Sequence, residues 1–179
     1  MKWHKENDEV FYPQEGKELV LVDEVDLVSL KHFASLNQRN LARFCAHKNI
    51  SDPVHEMFIF HKKGHYVRPH KHLSKAESFH LIEGEADILI FDEQGNVRKV
   101  LNLGSYASGK CFFYRIPESC YHTQIFKQDT IFHEVSKGPF EKSKTVFPDW
   151  TPEESELNLV SSYMEKLYSQ IKAYDKRHA

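Results

Sequence analysis

Histidine is concentrated in one part of this chain. The sequence has 12 histidines in 179 residues, and seven of them fall within 34 consecutive positions: His47, His55, His61, His65, His70, His72 and His80. Histidine is the commonest metal ligand in proteins and the usual acid–base group near neutral pH. We therefore expect this segment to bind a metal ion, to transfer protons, or both.

The spacing of His70, His72 and Glu77 fits a metal site on a β-sheet. They lie in the segment GHYVRPHKHLSKAESFHLIEG, from Gly64 to Gly84. Two strand residues that are two apart point to the same face, with Cα atoms roughly 6.5 Å apart. Both imidazoles can therefore reach one ion. Glu77 then opens the next strand and adds a carboxylate, and Gly84 suits a hairpin turn with positive φ.

A fourth ligand has to come from a distant segment. His122 enters the β-type run HTQIF, five residues after Pro117. Three histidines and one glutamate are a sensible ligand set for Fe, Mn, Ni, Co, Cu or Zn. The sequence therefore predicts one divalent metal ion bound by His70, His72, Glu77 and His122, without fixing its identity.

The elements that must position these ligands are short β-strands. Between about residues 54 and 136, runs rich in Ile, Val, Phe and Tyr are separated by turn signals such as KKG and DEQGN. Many short strands without intervening helices are typical of an antiparallel sandwich or barrel. We expect a mainly β protein with its ligands inside the barrel.

Further elements flank the barrel. We predict a strand at Glu18–Val22, a helix at about Glu24–Leu36, and a C-terminal amphipathic helix that Thr151 caps at its start. That helix packs on the barrel or on a second subunit, and we expect a homodimer. The predicted division is an N-terminal α/β extension over 1–50, the barrel over 51–150 and the helix over 151–179, in one structural domain.

Composition excludes several functional classes. The formal net charge is −2 and the basic residues are scattered, which argues against a nucleic-acid surface. The sequence contains no run of about eighteen apolar residues, so it predicts no membrane span. The polar start MKWHKENDEV does not resemble a signal peptide. Three cysteines without a CxxC pair indicate free thiols rather than a disulfide framework. We expect a cytoplasmic protein.

Other polar residues are candidates for the wall of a substrate pocket. His55 and His61 share one face of a predicted strand, where they can transfer protons near the metal or simply form hydrogen bonds in the wall. An ion pair is the alternative explanation for Arg68, and aromatic packing is the favoured explanation for Tyr114. The segments around the metal motif supply further candidate substrate contacts, including a cationic rim of Arg43, His47 and Arg68 for a phosphate or carboxylate group. These are Arg43, His47, Arg68, Tyr114 and His133.

The metal segment resembles the first motif of the cupin family at every fixed position. The segment from Pro117 to His122 resembles the second motif, although Ser119 replaces a customary glycine and Phe126 a customary asparagine. More narrowly, residues 40–152 resemble WbuC-type cupin metalloproteins, through RFCAHKNISDPVHEMFIFHKKGHYVRPHKHLSKAESFHLIEG and the later GPFEKSKTVFPDW. The resemblance implies a cupin fold, which is a double-stranded β-helix or jelly-roll barrel.

The resemblance also implies a function. Members are typically encoded among bacterial surface-polysaccharide genes, such as those for O-antigen and capsule. It therefore implies a metal-dependent enzyme acting on a sugar or nucleotide sugar, with isomerase- or epimerase-type chemistry. Two alternatives stay open, because cupins host many chemistries. One is an iron-dependent small-molecule dioxygenase, and the other is a non-catalytic accessory protein that binds sugars with help from the metal.

Overall fold

The computed structural model describes residues 2–16 and 19–178. In chain order the strands are β1 (Trp3–Lys5), β2 (Val10–Pro13), β3 (Leu41–Cys45), β4 (Val54–His61), β5 (Lys71–His72), β6 (Glu77–Glu83), β7 (Glu85–Phe91), β8 (Val97–Gly104), β9 (Phe113–Ile116), β10 (His122–Phe126), β11 (Thr130–Lys137) and β12 (Thr145–Val146). The α-helices are α1 (Glu24–Ser35) and α2 (Leu157–His178).

Two sheets face each other and enclose the main core. The larger sheet has the strand order β1-β2-β3-β4-β11-β6-β9, and the smaller has the order β10-β7-β8. Strands β5 and β12 form a separate pair. Every pairing is antiparallel except that of β2 with β3. The chain is thus a jelly-roll barrel of the cupin type, and the predicted mainly β fold class is confirmed.

Alternation along the strands decides which side chains enter the barrel. In β6, Glu77, Phe79 and Leu81 are buried while His80 is exposed, as a strand with one face on the core requires. In β7, Ile88 packs into the core between the sheets. Its neighbour Leu89 is buried on the other side, against α2. A run of apolar residues without alternation therefore marks a strand that is covered on both faces.

Helix α1 begins as the sequence predicts. The Asp23 side chain accepts hydrogen bonds from the backbone amides of Val25 and Asp26, and the Asp26 side chain accepts one from the Asp23 amide, which completes a capping box. Leu30 and Ala34 pack on the outer face of the larger sheet in a second core cluster. The helix thereby covers the back of the strands whose front faces the pocket.

The C-terminal helix is present, but its predicted start is wrong. Helix α2 begins at Leu157 rather than after Thr151. The Thr151 hydroxyl donates to the Pro148 carbonyl and accepts from Arg68 Nε. It is therefore not available to cap a helix. From Leu157 onward, the apolar stripe that includes Met164 and Leu167 packs on the outer face of the smaller sheet.

The predicted strand at Glu18–Val22 is also wrong over residues 19–22, and Glu18 lies outside the described residues. Residues 19–22 pair with no strand, and Leu19 and Leu21 are exposed. Instead, β1 and β2 form a hairpin, and β2 occupies the position next to β3. The first two strands of the extension therefore come from before the segment LVLV, and its third strand, β3, comes after it.

Neither described helix has the length and apolar character that crossing a membrane requires.

Candidate metal centre

The structure brings together the four side chains that the sequence selects. Glu77 opens β6, and His72 ends the short strand β5. His70 pairs with His122, the first residue of β10, through an isolated β-bridge. One donor atom from each of His70, His72, Glu77 and His122 lies within 4.8 Å of the other three. Segments fifty residues apart thus meet at one point inside the barrel.

Hydrogen bonds to Nδ1 orient the three histidine rings. His70 Nδ1 lies 2.9 Å from the Arg68 carbonyl oxygen, and His122 Nδ1 lies 3.0 Å from the Cys120 carbonyl oxygen. Because a carbonyl oxygen only accepts, Nδ1 carries a proton in both rings, which leaves Nε2 as the nitrogen that can bind a metal ion. His72 Nδ1 lies 3.0 Å from Thr145 Oγ1. Support of this kind at the distal nitrogen is usual for metal-binding imidazoles.

Two distances at Glu77 have the size found between neighbouring ligands of one ion. His72 Nε2 lies 3.0 Å from Glu77 Oε1, and His122 Nε2 lies 3.4 Å from Glu77 Oε2. Two donors that share an ion at about 2.1 Å stand roughly 3.0 Å apart at a right angle and about 3.4 Å apart at the tetrahedral angle. His122 Nε2 is also buried and makes no hydrogen bond of good geometry with any described residue. A metal ion satisfies such an atom.

The protonation states suit a metal site. Burial, reinforced by the neighbouring His122, lowers the pKa of His70 to about 3, so the ring is neutral at ordinary pH, as ligation requires. Burial works to raise the pKa of Glu77. The close rings of His122 and His72, together with the charge of Lys75, nevertheless hold that pKa well below its usual value. The centre therefore offers a neutral imidazole at His70 and a carboxylate at Glu77.

The donors open onto a large pocket. Its volume is about 890 Å³, which lies at the upper end of the range for small-molecule sites. His70, His72 and Glu77 line one part of it, and the inner faces of β3, β4 and β11 line much of the remainder. The site therefore has both a candidate metal centre and room for a substrate beside it.

The structure places His55 near the metal centre and His61 far from it. Ser136 of β11 pairs with His55 on one side and with Glu77 on the other, so His55 and Glu77 lie level with each other across β11. Their backbones are two strand spacings apart, or roughly 10 Å. The His55 ring stacks on His47 with centroids 4.1 Å apart and donates to the Ile50 carbonyl. His61 lies six residues, or roughly 20 Å, farther along β4.

Arg43, His47 and Arg68 all line the pocket. Burial lowers the pKa of His47. The Arg68 guanidinium lies 4.9 Å from the centre of the Phe147 ring and donates to the Thr151 hydroxyl, so Arg68 fixes the segment ahead of α2. Arg43 forms no ion pair with any described residue.

Tyr114 and His133 do not line the pocket. Tyr114 lies in the core beneath it, stacked on Phe79, and its hydroxyl accepts a hydrogen bond from Gln124. His133 points to the opposite face of β11, where its ring stacks on Phe58. The assignment of His133 to the pocket is therefore corrected, because the alternation of β11 turns Phe132 and Glu134 inward instead.

Sequence analysis missed two charged residues in the pocket. Glu134 lines the cavity, and burial, with the charge of Glu77, raises its pKa to about 7. Lys75 Nζ lies 2.8 Å from Glu77 Oε1. The available signal for Lys75 was its place two residues before Glu77, inside the metal segment.

Comparisons with known proteins find one matching family model and several similar solved structures, and they assign no activity to this chain. The model of a family described as a domain of unknown function (DUF6016) matches residues 22–103, which include His70, His72 and Glu77 but not His122. Among the curated proteins, none matches the chain.

Solved structures that resemble this one include two enzymes. A mutant of oxalate decarboxylase from Bacillus subtilis is 23% identical, over 55% of this chain and 25% of that one, with a TM-score of 0.45. A mutant salicylate 1,2-dioxygenase from Pseudoaminobacter salicylatoxidans, in complex with gentisate, is 11% identical over 61% and 29% of the two chains, with a TM-score of 0.47. A protein from Shewanella oneidensis is 15% identical over 63% and 71%, with a TM-score of 0.45.

The chain matches only about a quarter of the length of the oxalate decarboxylase. Likeness at these identities and scores carries no argument about chemistry. The strand order and the meeting of His70, His72, Glu77 and His122 identify the molecule as a cupin-type barrel whose cluster can hold a metal ion.

Proposed function

We propose that this protein is a metal-dependent enzyme that moves a proton on a sugar or nucleotide sugar of bacterial surface-polysaccharide synthesis. The resemblance to WbuC-type cupins supports the substrate class. One structural observation supports proton transfer: the pocket holds a partly buried carboxyl group, that of Glu134, beside the four candidate ligands and separate from them.

Glu134 is well placed to act as an acid or base. Ser136 pairs with Glu77, so Glu134 is the diagonal neighbour of Glu77 on the adjacent strand, with Cα atoms roughly 7–8 Å apart. It forms no hydrogen bond or ion pair with any described residue. Its pKa is raised to about 7, chiefly by burial, and carboxyl groups with perturbed pKa values in a cleft concentrate at functional sites.

The division of labour within the pocket follows from these positions. His70, His72, Glu77 and His122 would hold a divalent ion, which would supply a Lewis acid to polarise a substrate oxygen. Glu134 would remove a proton from the carbon next to that oxygen-bearing atom and return it to the adjacent atom, whereas inversion at the same carbon would need a second proton carrier on the other face. His55, level with Glu77 but hydrogen-bonded to Ile50, is the second candidate proton carrier. His61 is too distant to exchange a proton with the same substrate atom.

The test is hydrogen exchange in the substrate. Metal-loaded protein is incubated without oxygen, in deuterated water, with a panel of nucleotide sugars, and NMR detects deuterium at carbon. The proposal predicts incorporation into at least one sugar. It also predicts a rate on the order of 100-fold lower for Glu134→Gln, with metal content unchanged. His133→Gln, which alters a side chain outside the pocket, is the matched control.

Other outcomes contradict the proposal. Turnover that requires oxygen and iron would instead support the dioxygenase. Thermal stabilisation by a nucleotide sugar without any exchange or conversion would support the accessory sugar-binding protein. Equal exchange by Glu134→Gln and the unmodified protein would remove Glu134 from the reaction.

A further inference from the structure

The side chain of Arg43 enters the pocket without a counter-ion. Its Nε atom is buried and has no hydrogen-bond partner among the described residues, and its guanidinium forms no ion pair there. The other two arginines in the lining are engaged. Arg39 lies 2.9 Å from both Glu9 and Glu154, and Arg68 is held by Thr151. Arg43 is thus the one arginine of the described lining with an unused charge.

An unpaired cation in this position is energetically unfavourable. Arg43 loses part of its hydration, and no hydrogen bond to a carboxylate compensates for that loss. Glu9 lies on the same rim but already pairs with Arg39. Glu134 feels the charge of Arg43 but forms no ion pair with it. An anionic group of a ligand would satisfy the guanidinium, for which bidentate binding to phosphate or carboxylate is the natural geometry.

His61 provides a second polar group beside Arg43. His61 is only 8% exposed and lines the pocket. Its Nδ1 atom is buried and has no hydrogen-bond partner among the described residues. Arg43 pairs with Ile59 and Leu41 pairs with His61, so Arg43 and His61 are diagonal neighbours on one face, roughly 7–8 Å apart. One anionic group can lie between them.

This pair lies well away from the candidate metal centre. Strand pairing places Glu77 of β6 level with His55 of β4. It places Arg43 of β3 level with Ile59, which lies four residues farther along β4. The separation along the strands is therefore roughly 13 Å. The same continuous pocket contains both places.

We infer that Arg43 and His61 form an anion subsite, which binds a phosphate or carboxylate group of the substrate while another part of that substrate lies at the metal centre. The inference rests on the proposed function for the role of the metal end. The subsite itself does not require a bound metal. It restricts the substrates to small molecules that carry an anionic group remote from the reacting atoms, as sugar phosphates and nucleotide sugars do.

The test is calorimetric titration of chelator-treated, metal-free protein with inorganic phosphate and, separately, with acetate. The comparison is between the unmodified protein, Arg43→Gln, His61→Leu and Arg98→Gln. Arg98 is exposed on β8, so its variant removes the same charge outside the pocket. We expect one anion per chain, affinity lower by about tenfold or more in Arg43→Gln, lower by about threefold or more in His61→Leu, and unchanged in Arg98→Gln.

Thermal unfolding provides an independent measurement. In buffer free of phosphate and carboxylate, Arg43→Gln should melt at the same temperature as the unmodified protein or higher, because an uncompensated charge is removed. A structural arginine would give a lower melting temperature. Preference for phosphate or for acetate identifies the anionic group.

Two results would overturn the inference: no binding of either anion, or equal binding by Arg43→Gln and the unmodified protein. Because these titrations contain no metal, they are independent of the proposed reaction. Anion binding without hydrogen exchange would reject the proposed reaction and keep the subsite. Hydrogen exchange that is insensitive to Arg43→Gln would keep the reaction and reject the subsite.

Discussion

Replacing Thr145 by valine should weaken metal binding without changing any ligand. Thr145 lies on the short strand β12, directly opposite His72 on β5, and its hydroxyl is 3.0 Å from His72 Nδ1. Valine has nearly the same shape but no hydroxyl group. The imidazole of His72 would lose the only side-chain hydrogen bond to its distal nitrogen that the described residues provide.

The expected size follows from comparable sites. Loss of a hydrogen bond behind a metal-binding histidine costs 10–100-fold in metal affinity, or about 1.4–2.7 kcal/mol. We therefore predict a dissociation constant for Zn²⁺ that is higher by about 10–100-fold in Thr145→Val. Thr145→Ser keeps the hydroxyl and should stay within about threefold of the unmodified protein.

Competition with a chromophoric chelator measures these dissociation constants. The metal-free forms of all three proteins should have similar urea midpoints, because Thr145 is only partly buried and lies outside the main core. Equal Zn²⁺ affinity of Thr145→Val and the unmodified protein would show that this hydroxyl does not orient a ligand, and it would call His72 into question as a ligand.

Two further predictions concern stability. Gly84→Ala should destabilise the fold by several kcal/mol, since the backbone has φ +88° and a Cβ there would clash with the Asp129 carbonyl and lie 2.7 Å from Thr130 Oγ1. Gly64→Ala, at φ +75° with open space around it, should cost only about 1–2 kcal/mol in the same urea titration. Burial, with the charge of Arg39, lowers the pKa of His65 to about 4, below the usual value of about 6.5. The unfolded chain therefore binds more protons, and this contribution to stability is complete above pH 6.5 and is lost as the pH falls towards 4, by about 2 kcal/mol at pH 5. His65→Gln should reduce the stability difference between pH 7.5 and pH 5 by about that amount, and an unchanged difference would contradict the assigned pKa.

The metal cluster was predictable because its geometry is local. His70, His72 and Glu77 lie within eight positions, and strand alternation together with one turn determines where their side chains point. His122 needed one long-range assumption, that its β-run lies beside the first segment. The bridge between His70 and His122 is that neighbouring arrangement.

The faces of β11 could not be assigned from the sequence. Ile131 and Phe132 are both buried, one under α1 and the other inside the barrel. Hydrophobicity therefore does not distinguish the faces, and the inward position of Glu134 follows only from tertiary packing. The start of α2 was missed for a related reason. Its signal residue, Thr151, is a good N-cap whose hydroxyl is used by Pro148 and Arg68.

The central claim is that His70, His72, Glu77 and His122 bind one metal ion per chain. The most direct test is elemental analysis of purified, metal-replete protein and of the double variant His70→Ala with His72→Ala, with circular dichroism to show that both are folded. We predict about one equivalent of divalent metal in the unmodified protein and less than about a tenth of an equivalent in the folded double variant. Stoichiometric metal in the double variant, or none in the unmodified protein, would contradict the account.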